Sequence, residues 1–350
     1  MEDRKKLAVL FGGHSSEYEV SLQSAAAVLE NIRAEKYEVY PIGITRGGDW
    51  YHYTGALAHI ASGDWCSQHA QLHRVVFSQD RSAGGFLEQV NGQYRLQRVD
   101  LAFPVLHGKN GEDGTVQGLL ELAGIPVVGC GTLASALCMD KDRAHKLVSL
   151  AGIAVPRALV FSQARLAAAQ QEIAAELRFP VFVKPVRAGS SFGVSRVTAP
   201  EELEAALRLA FAQDSQIIVE EAVDGFEVGC AVLGREELTV GRVDEIELSG
   251  GFFDYTEKYT LKTSRIHMPA RIDAQTERRV QQAAKRIFRV LGCEGFARVD
   301  LFLTPTGELF FNEVNTIPGF TSHSRYPNMM KGIGLSFPQM LEKLLGLYEK

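Results

Sequence analysis

The N-terminal third of the chain alternates continuous apolar runs with segments of helical periodicity. Apolar runs over 6–13, 37–44 and 100–108 predict buried strands, and 21–32 predicts a helix after the first of them. Residues 115–129 predict a helix followed by a strand. Alternating strands and helices predict a parallel sheet with helices on both faces.

The pattern changes near residue 130, where strands and amphipathic helices follow one another with many turns. Predicted helices cover 132–151, 163–177, 198–213 and 276–292, and predicted strands cover 156–162, 179–185, 216–223, 227–234 and 238–248. A chain of 350 residues predicts two or three domains. Residues 46–96 are polar and glycine-rich, and their pattern does not order the elements within them.

Composition narrows the class of protein. The chain is 46% hydrophobic and 23% charged, as globular proteins are, and its net charge of −5 without a Lys/Arg block speaks against nucleic acid as a partner. We expect no signal peptide, because the first apolar run ends in glycine, and no segment has the roughly 20 apolar residues of a membrane span. Five scattered cysteines predict buried free thiols. These features predict a cytoplasmic enzyme.

The segment GFARVDLFL (295–303) and the segment GELFFNEVNTIPG (307–319) carry the most informative pattern in the chain. Both are rich in Phe, Val and Leu and bounded by Gly or Pro, which predicts strands. The short turn between them predicts an antiparallel hairpin.

Four polar residues fall on this hairpin. Because successive side chains of a strand point to opposite faces, Arg298 and Asp300 share one face, and Glu313 and Asn315 share a face of the partner strand. A turn centred near residues 305–306 places Glu313 almost opposite Arg298, with Asp300 on the diagonal. Two carboxylates and an amide oxygen suit Mg²⁺ that also binds substrate phosphates. The alternative is a solvated acidic face balanced by the arginine.

The segment VKPVRAGSSFGVSRV (183–197) predicts two strands joined by a Gly/Ser-rich turn. Such a turn lets backbone N–H groups approach phosphate oxygens, and a hairpin flap over phosphates fits better than a Walker A loop because GKS/T is absent. Phe182 and Lys184 share a face of the preceding strand, which suits adenine packing beside an α-phosphate contact. The alternative is an ordinary turn.

Acidic residues end the predicted strand in IIVEEAVDGFE (217–227). Its backbone can read the edge of an adenine, and Glu227 can accept hydrogen bonds from both ribose hydroxyls. The alternative is a solvated acidic turn.

Two further segments follow strands of the first domain. A Gly-Gly turn in FGGHSSEYEVS (11–21) opens a helix whose N-terminus attracts anions, but the GxGxxG spacing of a dinucleotide site is absent. HGKNGEDG (107–114) places a histidine and two acids at the carboxyl end of a strand, where α/β sheets bind ligands.

Taken together, HGxxGEDG, VKPxRxGSSxGVS and GxxRVDLF…NEVNTxPGFT resemble the motifs of the D-alanine–D-alanine ligase family of ATP-grasp enzymes, over nearly the whole chain. The resemblance implies a three-domain α/β ATP-grasp fold. Its parts are an N-terminal parallel-sheet, substrate-binding domain (1–129), a central ATP lid (130–220) and a C-terminal domain with the metal site (221–350). It also implies ATP as a substrate, two Mg²⁺ ions (or Mn²⁺) and a homodimer.

The reaction implied by the resemblance joins two D-amino acids into a peptidoglycan-precursor dipeptide. ATP phosphorylates the carboxylate of D-alanine, the amine of the second substrate attacks the acyl phosphate, and the tetrahedral intermediate expels phosphate. In this resemblance the metal ligands are Asp300, Glu313 and Asn315, and Arg298 stabilises the oxyanion of the intermediate.

The remaining site residues are implied in the same way. The ATP contacts are Lys141, Phe182, Lys184, Ser191, Glu220, Glu221, Val223, Glu227 and Phe302. Glu17 holds the ammonium of the first substrate, with His107 close by, and Glu17, Ser190 and Tyr259 form a triad that closes the site. Lys258 belongs to a mobile loop that reaches the γ-phosphate. The contacts with the second substrate are Gly319 and Ser324.

The choice of second substrate depends on departures from the family pattern. Arg325 stands where the housekeeping enzymes usually have Leu or Met, and the loop keeps EKY (257–259), unlike the D-lactate enzymes, which have a histidine there. His267 lies further on and suits a structural or surface role. These features resemble the D-alanine–D-serine ligases of glycopeptide resistance, most closely the VanG type. A site for D-serine needs a polar group for the hydroxyl, which Arg325 can supply directly or through a neighbour.

Several alternatives stay open from sequence. Arg325 can simply pair with a carboxylate, which leaves D-alanine as second substrate. Another ATP-grasp carboxylate–amine ligase, such as a carboxylase subunit, lacks support because HGxxGEDG is present and no biotin-partner signature is. A regulatory nucleotide-binding protein with a decayed site is disfavoured because the matched metal and lysine positions are all filled.

Overall fold

The computed structural model describes residues 4–248 and 264–349, in which the strands form three sheets. The strands are β1 (Lys5–Gly12), β2 (Tyr37–Ile44), β3 (Trp50–Tyr53), β4 (Leu72–Phe77), β5 (Gly85–Val90), β6 (Gln93–Arg98), β7 (Leu101–Pro104), β8 (Ala158–Ser162), β9 (Val181–Pro185), β10 (Ser195–Val197), β11 (Gln216–Glu221), β12 (Phe226–Gly234), β13 (Leu238–Leu248), β14 (Ser264–His267), β15 (Gly295–Leu303) and β16 (Leu309–Asn315).

The helices pack on both faces of the first and third sheets and on one face of the central sheet. They are α1 (Tyr18–Asn31), α2 (Leu57–Ser62), α3 (Thr115–Leu122), α4 (Thr132–Met139), α5 (Lys141–Leu150), α6 (Leu166–Glu176), α7 (Leu203–Phe211), α8 (Ala274–Val290), α9 (Arg325–Lys331) and α10 (Phe337–Gly346). None of the helices within residues 4–248 and 264–349 has the length and apolar character to cross a membrane.

The first sheet has seven strands in the order β6-β5-β4-β3-β2-β1-β7. Its β2-β1-β7 part is parallel, as the sequence predicts, but β3 to β6 add antiparallel strands, so the sheet is mixed. These added strands come from residues 46–96, where short strands with exposed faces gave no continuous apolar run. The strand predicted at the end of 115–129 is reduced to one isolated bridge at Val127.

The central sheet is antiparallel, in the order β10-β9-β11-β8. Helices α6 and α7 bury their apolar stripes against one face of it, through residues such as Ile173 and Leu207, neither of which is exposed. The opposite face is therefore free to line a site.

The third sheet has the order β14-β13-β12-β15-β16, and the amphipathic helix α8 packs on one face. Helices α4 and α5 pack on the same sheet, although the sequence prediction placed them with the central unit. The predicted single helix 132–151 is broken at Asp140, whose carboxylate accepts a hydrogen bond from the Arg143 N–H at 3.0 Å and caps α5. An apolar pattern reveals that a helix has a buried face, but not which sheet it covers.

Aromatic rings join the first sheet to the third. Phe296 of β15 lies 5.8 Å from Phe103 of β7 and 5.1 Å from Phe320, measured between ring centroids. Phe320 stacks on Tyr326 at 5.5 Å. This cluster fixes the segment between β16 and α9 against the N-terminal sheet, and the candidate site lies along that junction.

Candidate active site

A cavity of about 710 Å³ lies between the central sheet and the third sheet. The sequence-predicted ATP contacts that line it are Lys141, Phe182, Lys184, Ser191, Glu220, Glu221, Val223, Glu227 and Phe302. The predicted metal ligand Glu313 lines the same cavity. The structure thus brings all nine of these positions, taken from four separate stretches of sequence, to one space of ligand size.

The hairpin of β15 and β16 forms as predicted, but its predicted register is wrong. Arg298 pairs with Asn315, and Asp300 lies directly opposite Glu313 rather than on a diagonal. The register differs for two reasons. The turn is centred on Thr306. An irregularity also follows Asp300, so that Leu301 pairs with Phe311 and Asn312 is an additional residue in its strand. The correction brings the two carboxylates closer, since directly opposed residues have Cα atoms roughly 4.5–5.5 Å apart.

A row of residues crosses the third sheet at this level. Asp244 of β13, Gly229 of β12, Asp300 of β15 and Glu313 of β16 are successive cross-strand partners. A Cβ on Gly229 would lie 2.7 Å from an oxygen of Asp244 and 2.9 Å from an oxygen of Asp300. Glycine is therefore required here so that two acidic side chains can approach over its backbone.

Arg298 holds Asp300 in a fork. Its Nε lies 2.8 Å from Oδ1, and its Nη2 lies 2.7 Å from Oδ2. Burial is the largest single influence and would lower the pKa of Arg298, but the charge and hydrogen bonds of Asp300 together with the charge of Asp244 raise the pKa above its ordinary value. Both side chains are buried, so the guanidinium is a fixed cation beside the carboxylates predicted to bind metal, as an oxyanion-stabilising group needs to be.

The hairpin residues fit a hard divalent cation. No cluster of three or more His, Cys, Asp or Glu suited to a metal occurs in residues 4–248 and 264–349. Two carboxylates, Asp300 and Glu313, face each other, and Asn315 lies 2.9 Å from Asp300 and adds an amide. A site with few protein oxygens is typical of Mg²⁺ that completes its shell with water and substrate phosphates.

Basic groups face the cavity from the central sheet and from α5. Lys141 Nζ donates to the Ala188 carbonyl at 2.8 Å and lies 3.9 Å from Glu313 Oε2. Lys184 Nζ donates to Glu220 Oε2 at 2.6 Å and lies 5.8 Å from the ring centroid of Phe182. Burial would raise the pKa of Glu220, but the charge of Lys184 and other neighbours outweighs it and lowers the pKa.

Arg325 is buried among carboxylates at the start of α9. Its Nε and Nη2 donate to Asp244 at 2.7 and 2.8 Å, and its Nη1 donates to Glu227 at 2.8 Å. Its Nη2 also lies 3.4 Å from Asp300. Burial opposes the charge, but Asp244 and the other acids raise the pKa of Arg325. Of the two roles considered from sequence, pairing with carboxylates is the one that this geometry shows.

The residues predicted around the first substrate lie at the other end of the site. Ser190 donates a hydrogen bond to Glu17, and both side chains are buried. A Cβ on Gly108 would lie 2.4 Å from Glu17 Oε2, and one on Gly189 would lie 2.8 Å from it. Two glycine backbones therefore enclose the carboxylate. The other predicted members, Lys258 and Tyr259, lie outside the described residues.

His107 has both ring nitrogens in contact with the protein. Nδ1 lies 2.9 Å from the Ile317 carbonyl, and Nε2 lies 3.1 Å from Ser24 Oγ. A carbonyl only accepts, so Nδ1 carries the hydrogen, and Ser24 in turn accepts from the Phe320 N–H at 3.2 Å. Burial lowers the pKa of His107 and favours this neutral form. His107 positions the segment beside the second-substrate residues, and its role in binding substrate stays a prediction.

Glu112 completes this connection. Its Oε1 accepts from the Ile317 N–H at 3.0 Å, and its Oε2 accepts from the Gly108 N–H at 2.9 Å. Burial, together with the charge of Glu17, raises the pKa of Glu112 to about 8. The loop 107–114 thus binds both backbone groups of Ile317. Nearby, Ser324 Oγ accepts from the Thr321 N–H at 3.0 Å.

Sequence reasoning did not single out Asp244, Glu112 or His145. Asp244 is one of three acids in the strand LTVGRVDEIEL, and the pattern does not distinguish it from Glu245 and Glu247. Glu112 stood inside HGKNGEDG but without an individual role. His145 lies in the predicted helix 132–151, and nothing in the helical pattern distinguishes it from a surface histidine.

Two antiparallel sheets enclose the cavity beside Glu313, and the solved relatives with this fold show that the chain is an ATP-dependent ligase of the ATP-grasp type. The model for the D-ala D-ala ligase N-terminus matches residues 6–130, and the model for the D-ala D-ala ligase C-terminus matches residues 147–346. The chain belongs to the D-alanine–D-alanine ligase family.

Individual relatives include both resistance proteins and housekeeping enzymes. The crystal structure of VanG D-Ala:D-Ser ligase from Enterococcus faecalis is 67% identical, covers 99% of this chain and 100% of its own, and superimposes with a TM-score of 0.93. Vancomycin C-type resistance protein VanC1 of Enterococcus gallinarum is 45% identical over 99% of each chain. A D-alanine–D-alanine ligase of Caldicellulosiruptor bescii is 44% identical over 98% of this chain and 94% of its own.

Proposed function

We propose that this chain is a D-alanine–D-serine ligase that uses ATP and Mg²⁺ to make a peptidoglycan-precursor dipeptide. The γ-phosphoryl group of ATP passes to a carboxylate oxygen of D-alanine, which gives D-alanyl phosphate and ADP. The amine of D-serine then attacks the carbonyl carbon. The C–O bond to phosphate breaks, the amine loses a proton, and D-alanyl-D-serine and phosphate are released.

The observation that best supports the ligase chemistry is the arrangement of polar residues on the β15–β16 hairpin beneath the cavity. Asp300 and Glu313 are opposed, and they would hold the metal, which neutralises charge on the triphosphate when bound. Arg298 is anchored through Nε and Nη2, and none of its contacts with Asp300 uses Nη1. That nitrogen is the donor we assign to the oxyanion of the tetrahedral intermediate.

Nucleotide binding is assigned to the cavity. Lys141 and Lys184 bind phosphates under the flap that contains Ser191, and the end of β11 at Glu221 and the segment after it at Val223 present their backbone to adenine. The carboxylate of Glu221 accepts a hydrogen bond from the Arg178 N–H at 3.0 Å. This contact holds the side chain away from the assigned adenine position and leaves the backbone to contact the base, which supports the assignment. Glu227 accepts the ribose hydroxyls while Arg325 holds it.

Preference for D-serine is assigned to Arg325 acting through its neighbours. The nitrogens of Arg325 contact three carboxylates. Arg325 therefore holds Asp244 and Asp300 in place rather than acting as a direct hydrogen-bond donor to the substrate. A site that offers buried polar groups to a hydroxyl discriminates against the substrate that lacks it. The likeness to the VanG D-Ala:D-Ser ligase structure supports the same choice.

A competition assay tests this assignment. The enzyme receives ATP, Mg²⁺, D-alanine and equal D-serine, and the dipeptides are separated and identified by mass spectrometry. We expect D-alanyl-D-serine in excess over D-alanyl-D-alanine. Excess D-alanyl-D-alanine would make the chain a housekeeping-type ligase, a class that the Caldicellulosiruptor bescii relative represents.

A further inference from the structure

His145 is a buried histidine behind the nucleotide cavity that the proposed reaction does not use. It belongs to α5, and its side chain is only 6% exposed. Its Nε2 lies 2.8 Å from the carbonyl oxygen of Asn312 on β16. Its ring meets the ring of Phe311 edge to face, with 5.3 Å between centroids. The ring is therefore fixed in one orientation.

The other ring nitrogen is aimed at a carboxylate. His145 Nδ1 lies 3.6 Å from Glu220 Oε1, which is too long for a hydrogen bond, and both atoms are buried without a hydrogen-bond partner. Because the Asn312 carbonyl can only accept, Nε2 carries a hydrogen. A neutral ring would then set a lone pair on Nδ1 against a carboxylate oxygen. A ring that carries hydrogen on Nδ1 would instead donate to this oxygen after a small movement.

The second oxygen of Glu220 is held by a lysine that has another task. Lys184 Nζ donates to Glu220 Oε2 at 2.6 Å, and the proposed function assigns Lys184 to a phosphate of ATP. A phosphate that attracts Lys184 weakens its hold on Glu220. A buried carboxylate that loses its cation is costly, so another positive group has to remain beside it.

We propose that His145 is a positioning residue for the nucleotide, holding Glu220 against β11 when Lys184 turns from Glu220 to a phosphate. The inference rests on the proposed function for the role of Lys184. The charged groups around Glu220 are Lys184 from β9, Lys141 from α5 and His145 itself. Lys141 is drawn to the Ala188 carbonyl and lies near Glu313, so His145 is the group best placed to stay beside Glu220.

Two ligands separate this role from simple packing. Adenosine has no phosphate and leaves Lys184 on Glu220, whereas ADP draws Lys184 away. The H145Q variant places an amide near Nε2, which keeps the contact with Asn312 and removes the one with Glu220. The H145N variant places an amide near Nδ1, which keeps a donor for Glu220 and removes the contact with Asn312.

Calorimetric titration of the full-length protein with ADP and with adenosine is the test. We expect H145Q to weaken ADP binding about tenfold, the loss typical of a hydrogen bond to a charged group, and to change adenosine binding less than about twofold. H145N should keep most of the ADP affinity. The control H52Q alters a histidine that pairs with Glu88 in the N-terminal sheet, and it should change neither affinity.

Three results would overturn the proposal. The first is that H145Q weakens the binding of ADP and of adenosine equally, as lost packing would. The second is unchanged ADP binding in H145Q. The third is a loss of ADP binding in H145N as large as that in H145Q. A phosphate-release assay tests the ligase assignment separately. A wild-type protein that binds ADP as expected but releases no phosphate with D-alanine would remove the ligase and leave this binding role in place.

Discussion

The two ends of the candidate site use their polar groups differently. Around the nucleotide cavity, Lys141, Lys184 and Glu313 line open space, where a ligand can reach them. At the junction that carries the predicted second-substrate residues, the polar atoms of His107 and Glu112 bind backbone groups of another segment. At the first end side chains border a cavity that we propose to bind the nucleotide, and at the second end side chains fix the positions of segments. Substitutions at the two ends should therefore fail in different ways.

The largest expected effect is at the metal row. E313Q removes one carboxylate charge from the pair opposite Asp300, and turnover should fall at least about 100-fold while the fold is kept. Steady-state phosphate release and circular dichroism measure the two quantities. The matched control is E308Q, at an exposed acid of the same hairpin, which should keep near wild-type turnover. Near wild-type turnover in E313Q would contradict the metal role.

The buried arginine gives the next largest effect, on both stability and selectivity. R325M leaves Asp244, which has no exposed surface, without its cation, and unfolding free energy should fall by about 3–5 kcal/mol. The ratio of kcat/KM for D-serine to that for D-alanine should also fall. Denaturant titration and acceptor kinetics measure these changes.

A surface pair provides the comparison for this substitution. R235M breaks a pair with Glu294 whose side chains are nearly half exposed, and it should cost less than about 1 kcal/mol. If R325M left the D-serine to D-alanine ratio as in wild type, Arg325 would have no part in choosing the substrate.

A smaller effect should follow from S24A, which leaves the Phe320 N–H and His107 Nε2 without their shared partner. The second-substrate segment should lose its position, so KM for the acceptor should rise about tenfold while KM for ATP stays constant. Initial-rate kinetics with each substrate varied measure the split. S135A, which removes a long 3.4 Å contact of another buried serine, serves as control. An equal rise in both KM values would erase the distinction between the two ends.

A pH dependence of stability should follow from Glu112. Its pKa in the folded protein is raised to about 8 from an ordinary 4.5, so the folded state binds the proton more tightly than the unfolded state. Its contribution is complete below about pH 4.5 and is lost as the pH rises through about 8. The unfolding free energy of wild type minus that of E112Q should therefore fall across this window. A difference that stays flat from pH 5 to pH 8 would refute the raised pKa.

The sequence revealed the chemistry of the hairpin better than its geometry. Alternation along each strand was enough to group Arg298 with Asp300 and Glu313 with Asn315. The register depended on the turn centre and on the irregularity after Asp300, which follow from local backbone conformation and leave no trace in the apolar pattern.

The polar contacts of the junction could not be predicted from the sequence for a different reason. Arg325 meets Asp244 across 81 residues of sequence, and Ile317 meets Glu112 across 205. No periodicity links such pairs, because the packing of two sheets brings them together. The same limit applies to residues 46–96, whose strands are short and half exposed and so have no strong alternation.

The most direct test of the account follows one oxygen atom. D-alanine labelled with ¹⁸O in its carboxylate is supplied with ATP, Mg²⁺ and D-serine, and the released phosphate is analysed by mass spectrometry. Activation of the carboxylate as an acyl phosphate transfers one labelled oxygen to each phosphate released. Phosphate that forms along with dipeptide but carries no label would contradict the central claim.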